Sequence, residues 1–238
     1  MKTRQADNLK NVFNEIAPRW YNRFHWTRFM PELTELAQKW QGGRLVNIGC
    51  GHGPEFIPFK ENFELYGVDF SAGMLEQAQR YAQKFHFSAD LIEADVRNLP
   101  YPDKYFDFAV SVATYHHLEG PQEIILGLKE LFRVLKPGAE AFVTFWNRQQ
   151  PRFIFKKPEL LIPWKIDDRV LNRYYYLLSY KQAENLAKNA GFILITSKPE
   201  NNYRFPIKCF SKNICLLLKK PGELSDNDKI SPLNQQGS

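Results

Sequence analysis

Between residues 44 and 146 short apolar runs alternate with amphipathic stretches, regularly enough to predict an architecture. Residues 44–48 form an apolar run ending in glycines, and Phe63–Asp69 forms a second that leads into Phe70 and Ser71. Ser71 is a good helix N-cap, and Met74, Leu75, Ala78 and Ala82 then recur on one side of a helix expected to run to Phe85. Strands are predicted at 90–94 and 106–113, a helix at 121–135, and a strand at 140–146 after the turn Lys136-Pro137-Gly138. Strands and helices alternating at this spacing predict an α/β fold, a doubly wound parallel sheet with helices on both faces.

The flanks extend this pattern. Leu9, Val12, Phe13 and Ile16 recur at helical spacing over residues 7–17, and Pro18 is expected to end that helix. A second helix is predicted over 29–41, with Pro31 in its first turn, Leu33, Leu36, Ala37 and Trp40 as its stripe, and Gly42-Gly43 as its stop. Residues 147–178, with Pro151, Pro158 and Pro163, break the rhythm and read as an insertion over the carboxyl edge of the sheet. Ser179 and Gln182 have capping-box spacing for a helix ending before Gly191, and segments 192–197 and 213–219 close the chain as a hairpin at the sheet edge. Residues 1–220 thus make one domain, and the polar stretch 221–238 reads as a disordered tail.

Charge and cysteine usage narrow the classes without choosing one. No apolar run is long enough for a membrane span, and the opening MKTRQADNLK lacks the apolar core of a secretory signal, so a cytoplasmic protein with no membrane partner is expected. Cys50, Cys209 and Cys215 form no C-x-x-C pair, which indicates neither a disulfide framework nor a metal site. The net charge of +6 suits a phosphate-rich partner and equally a solvated surface.

The sharpest chemical signal is LVNIGCGHG at 45–53, where an apolar run leads directly into Gly49-x-Gly51-x-Gly53. Glycines at a strand end let the backbone turn tightly and approach a ligand closely; a ligand-free turn is the plainer reading of such a pattern taken alone. Asp69, at the end of the second predicted strand, can accept both hydroxyls of a ribose, or merely cap a helix. Asp95, at the end of the third, is positioned for an adenine edge, or for ordinary turn chemistry. A dinucleotide fingerprint wants its third glycine at Pro54, so the spacing favours a cofactor without pyrophosphate.

The glycine loop, Asp69, ADVRNLPYPDKYFD and LFRVLKPG resemble the successive motifs of the Rossmann-like S-adenosylmethionine-dependent methyltransferases over residues 44–146. The resemblance implies a seven-stranded, mostly parallel sheet with an antiparallel last strand, and S-adenosylmethionine bound by Asn47, Gly49, Cys50, Gly51, Gly53, Asp69, Phe70, Asp95 and Val96. Asn47 departs from the family pattern, which usually carries an acidic residue there. Asparagine keeps an acceptor and loses the charge, weakening the expected contact to the cofactor's amino group.

FNEIAPRWYNRFHW, VATYHHL, IPWK and NRYYYLLSYKQAENLAKNAGF are similar, more narrowly, to tRNA wobble-uridine carboxymethyl methyltransferases, which esterify the carboxylate of 5-carboxymethyluridine. That resemblance implies tRNA as substrate and, as a further partner, a small zinc-binding activator protein that covers an apolar sheet edge. It points to Arg173 as the grip on the acceptor carboxylate, with Tyr175 shaping the pocket and His116 or His117 bordering the methyl group. Asn14, Arg19 and Tyr21 are expected on an amino-terminal lid.

Residues 146–181 hold eight cations against three acids, interleaved with Phe153, Phe155, Trp164, Tyr174, Tyr175, Tyr176 and Tyr180. Cations that neutralise phosphates beside rings that stack on splayed bases suit an anticodon loop; a packed lid with a solvated face is the alternative. A carboxylate acceptor is ionised at neutral pH and needs no general base, so positioning is the enzyme's task. A small-molecule O-, N- or C-methyltransferase using a histidine base, and a non-catalytic scaffold, are the competing readings.

Overall fold

The computed structural model describes residues 2–223, with side chains described from Leu9 onward; positions 224–238 of the expected tail lie outside the described residues. The main sheet is built from β1 (Gly43–Ile48), β2 (Phe63–Asp69), β3 (Asp90–Glu93), β4 (Phe106–Ser111) and β5 (Leu135–Trp146). After the separate hairpin β6 (Glu159–Ile166) and β7 (Arg169–Tyr176), strands β8 (Ile193–Lys198) and β9 (Asn213–Lys219) complete it. The order is β3-β2-β1-β4-β5-β9-β8. Strands β1 to β5 run parallel, and β9 is antiparallel to both β5 and β8. The doubly wound, seven-stranded, Rossmann-like sheet with an antiparallel last strand is therefore observed. Strand order reverses between β1 and β4, where an open α/β sheet leaves a crevice for ligands.

Alternation along β1 divides the core. Val46 and Ile48 face one cluster, filled by Ile124, Leu128 and Leu131 of α4 (Gly120–Val134) and Ala183 and Ala187 of α5 (Tyr180–Asn189). Leu45 faces the other, against Leu33, Leu36 and Trp40 of α2 (Met30–Trp40) and Phe56 and Phe59 of the 3₁₀ helix Pro54–Phe59. On α3 (Ala72–Phe85), the Ser71 hydroxyl accepts the Met74 N–H at 3.1 Å, and Ser179 and Gln182 close a capping box on α5. Among the described residues no helix is long and apolar enough to cross a membrane.

Two sequence expectations are corrected. Pro18 does not end the first helix, which runs Lys2–Arg23 (α1). Burial of Phe13, Ile16 and Ala17 before the proline and packing of Trp20 after it outweigh the lost hydrogen bond. Lys136-Pro137-Gly138 lies within β5 as an irregularity between Leu135 and Glu140, where the pairing with β4 shifts register. The insertion is mainly the hairpin β6–β7, whose buried Trp164, Ile166 and Tyr174 join α1 in a roof over the carboxyl ends of the strands.

Candidate active site

Beneath that roof lies a cavity of about 740 Å³, walled by the loops after β1, β2, β3 and β4. The loop after β1 is fixed by two bonds to one acceptor: Gly49 N–H and Cys50 N–H donate to the Val68 carbonyl at 2.7 and 2.9 Å. Gly49 holds φ +68°, and a Cβ there would sit 2.2 Å from Thr114 Oγ1. Gly51 holds φ +55° with nothing within 4 Å of a Cβ, so its bare face opens on the cavity. Gly49→Ala is therefore expected to destabilise the fold by about 2–5 kcal/mol, combining overpacking with left-handed strain. Gly51→Ala meets only the strain, about 1–2 kcal/mol, and crowds the cavity instead. Thermal melting and cofactor titration of both variants check the contrast. Gly53 initiates the 3₁₀ helix and Asn47 lies under the loop, and neither lines the cavity.

Asp69 is 6 % exposed. Its Oδ2 accepts the Gly51 N–H at 2.9 Å and its Oδ1 the Ser71 N–H at 3.0 Å, so each oxygen keeps a lone pair toward the cavity. Burial pushes its carboxyl up to about 6, against the lowering effect of those backbone bonds. Asp95 is committed differently: Oδ1 accepts from Arg97 N at 2.8 Å and Nε at 2.9 Å, and Arg97 also binds Glu123. Burial acts to raise Asp95, but the Arg97 bonds win and hold it below the ordinary carboxylate range. Cys50, Phe70 and Val96 also face the cavity, Phe70 packed edge-on against Phe13.

Across the cavity from the glycine loop, Arg173 reaches in from β7 at 6 % exposure, with no carboxylate partner among the described residues and an unbonded Nε. Three rings surround the guanidinium, those of Trp20, Trp164 and Tyr175, with centroids at 5.4, 5.1 and 5.5 Å. Burial lowers its pKa, yet an arginine remains charged in proteins. Asp167, on the turn of the same hairpin, takes two bonds from Arg19 at 2.7 and 2.8 Å and none from Arg173. Asn14 is likewise structural, its Oδ1 accepting from Ser71 Oγ and Gly73 N, and Tyr21 packs edge-on against His52.

Tyr175 stacks between Trp146 and His116, at 4.6 and 5.0 Å. His116 accepts the Trp146 N–H at Nδ1, so in the neutral ring Nε2 carries the proton, buried and unbonded. His117 Nδ1 lies 2.8 Å from the Tyr174 carbonyl and must donate to it, leaving the Nε2 lone pair free. Burial drives His116 well below its ordinary value and His117 down to about 4, so both rings are neutral at pH 7. The sequence leaves open which histidine lines the site; both do, and only His117 offers a basic nitrogen.

A family model described as a methyltransferase domain matches residues 46–143, which span β1 to β5 and carry the loops that wall the cavity. The chain is 27% identical over 161 residues to human "Probable tRNA methyltransferase 9B", an alignment covering 67% of this chain and 34% of that protein. It is 28% identical over 150 residues to the Saccharomyces cerevisiae tRNA (carboxymethyluridine(34)-5-O)-methyltransferase, covering 62% and 50%. It is 32% identical over 155 residues to the Nostoc punctiforme 2-phytyl-1,4-naphtoquinone methyltransferase, covering 60% and 66%. The chain thus spans about a third to a half of the length of these tRNA methyltransferases. Its fold superposes on an S-adenosylmethionine-dependent methyltransferase from Clostridium acetobutylicum with TM-score 0.70 at 13% identity, covering 89% of this chain and 100% of that one.

The cavity fits S-adenosylmethionine: Gly51 leaves a cradle that a side chain would fill, and Asp69 keeps free lone pairs beside it. Sequence reasoning missed Glu55 and His52, both buried at the cavity wall, and the part of Trp20 and Trp164 in enclosing Arg173. Glu55 left one trace in the sequence, an acid directly after the glycine loop in an otherwise apolar PEFIPF.

Proposed function

We propose that the protein methylates a carboxylate, and that the acceptor is the carboxymethyl group of a modified wobble uridine in tRNA. One observation carries the reading, the buried Arg173 guanidinium that opens on the cavity with no counter-ion among the described residues. A buried, uncompensated charge costs several kcal/mol, and an anionic acceptor would offset that cost. S-adenosylmethionine, when bound, supplies a methyl group on a positively charged sulfur. Arg173 holds the acceptor through two parallel N–H bonds, leaving an oxygen lone pair free to attack. Tyr175 fixes the guanidinium from below, and the Trp20–Trp164 wall keeps water out. The acceptor needs no deprotonation, which suits the neutral His116 and His117 beside it.

The cavity mouth supports RNA as the carrier. Arg23, Arg28, Lys165 and the exposed rings of Phe24 and Trp26 form its rim, and Phe155 is fully exposed nearby in sequence to Lys156 and Lys157. Rings and cations are divided differently from the sequence expectation: Phe153, Trp164, Tyr174, Tyr175 and Tyr180 are buried in the roof and core, so base stacking falls to Trp26 and Phe155. The same reading includes a small zinc-binding activator, for which the exposed Ile193 and Ile195 of the edge strand β8 offer an apolar surface.

Incubation with labelled cofactor and bulk tRNA, followed by nucleoside mass spectrometry, is expected to reveal a methyl ester on a carboxymethyl uridine. Binding of tRNA should weaken steeply with salt, log affinity falling linearly with log concentration. Methylation of a small acid with a flat salt response would keep the carboxylate and remove the RNA. Methyl transfer to a quinone alone would remove both.

A further inference from the structure

Five acids line the cavity, and three have evident commitments. Asp69 is held by two backbone N–H groups, and Asp95 and Glu123 both bind Arg97; Glu119, half-buried at the N-cap of α4, makes no capping bond and keeps a buried Oε1 without a partner. Glu55 is the fifth, 9 % exposed, on the 3₁₀ helix directly after the glycine loop. Among the described residues its polar neighbours are the Thr27 hydroxyl, its own backbone N–H and the Asn47 carboxamide, none of them a cation. Asn47 shares its face of β1 with Leu45, is 1 % exposed, and neither of its amide atoms reaches hydrogen-bonding geometry. Glu55 at the wall of the cofactor cavity thus has no cation beside it, and the amide that stands behind it, beneath the glycine loop, completes no hydrogen bond. Buried polar groups left this way in a native fold call for a ligand.

We propose that Glu55 is the anionic partner of the α-ammonium group of S-adenosylmethionine, supplying from the 3₁₀ helix the charge that Asn47 lacks at the end of β1. The proposal rests on S-adenosylmethionine being the cofactor. An ammonium has three N–H donors, and Glu55, which lines the cavity, accepts from it with the Asn47 carboxamide behind the carboxylate. Burial pushes the Glu55 carboxyl up to about 7, against the lowering effect of Thr27 and Asn47, so the free protein holds it partly protonated at neutral pH. A bound ammonium favours the ionised form and expels that proton. The titratable neighbours are silent there: burial raises the Cys50 thiol and the Tyr81 hydroxyl, which stay protonated, and lowers His52 to about 4, which stays neutral.

Calorimetry with S-adenosylmethionine, S-adenosylhomocysteine and 5′-methylthioadenosine, which lacks the amino-acid part, tests this. Glu55→Gln is expected to weaken the first two at least tenfold and leave the third unchanged, and adding Asn47→Asp to that variant should recover most of the loss. Independently of any variant, the parent at pH 6.5 should release more protons on binding S-adenosylmethionine than on binding 5′-methylthioadenosine, as read from heats in buffers of different ionisation enthalpy. Equal affinity of parent and Gln variant for S-adenosylmethionine, equal loss of all three ligands, failure of Asn47→Asp to restore binding, or equal proton release would each overturn the proposal. A parent that binds none of the ligands would instead remove the cofactor itself.

Discussion

Arg173→Lys and Arg173→Ala are expected to slow single-turnover methyl transfer by roughly 30- to several-thousand-fold, while affinity for S-adenosylmethionine stays near the parent's. The range follows from the cost of about 2–5 kcal/mol for truncating one partner of a buried, hydrogen-bonded charge pair, at 1.36 kcal/mol for each tenfold in rate. Lysine keeps the charge but loses the planar fork, so the acceptor's plane is no longer fixed against the methyl carbon. Stability distinguishes a substrate role from a structural one. Because Arg173 has no carboxylate partner among the described residues, Arg173→Ala relieves a buried charge and should leave the melting temperature unchanged or slightly raised. An arginine serving the fold would show the opposite, a melting loss with intact single-turnover rates at saturating tRNA.

Asp69→Ala should abolish measurable cofactor binding. Two charge-assisted hydrogen bonds to a ribose are worth about 1.5–3 kcal/mol each, and the variant also frees the Gly51 and Ser71 N–H groups that shape the loop. Asp69→Asn separates these effects, because its single carbonyl oxygen replaces one acceptor only. The pH response carries a sign. With its carboxyl pushed up to about 6 by burial, Asp69 is ionised at pH 7.5 and protonated at pH 5, so cofactor affinity should fall as pH drops through 6. Stability moves the other way. A carboxyl raised in the fold above its unfolded value stabilises below the unfolded pKa, and that contribution is lost as pH rises through 6. Titration calorimetry at pH 5 and 7.5, beside melting curves of the free protein, reads both trends; affinity that held constant across that range would detach Asp69 from the ligand.

The amino-acid sequence by itself determined the five strands and two α-helices from Gly43 to Trp146, apart from the start of β5, because hydrophobic periodicity and N-caps such as Ser71 are local quantities. It also located the glycine loop, Asp69 and Asp95, since a strand end followed by glycine or an acid is a short-range signal. Tertiary structure alone decided the rest. Whether Pro18 breaks a helix depends on how much apolar surface is buried on either side of it, and here Phe13, Ile16 and Trp20 pack under the hairpin. Whether an aromatic ring meets solvent or the core is set by strand facing, so Trp164 and Tyr175 closed the roof while Phe155 stayed outside. Asp167 met Arg19 and left Arg173 without a carboxylate among the described residues; ion pairing across 148 positions leaves no trace in spacing. The juxtaposition of Asn47 with Glu55 arose in the same way. Asn47 shares the Leu45 face of β1, and the glycine loop turns the chain back so that a short helix lays its acid against that face, a neighbour relation fixed by folding rather than by order along the chain.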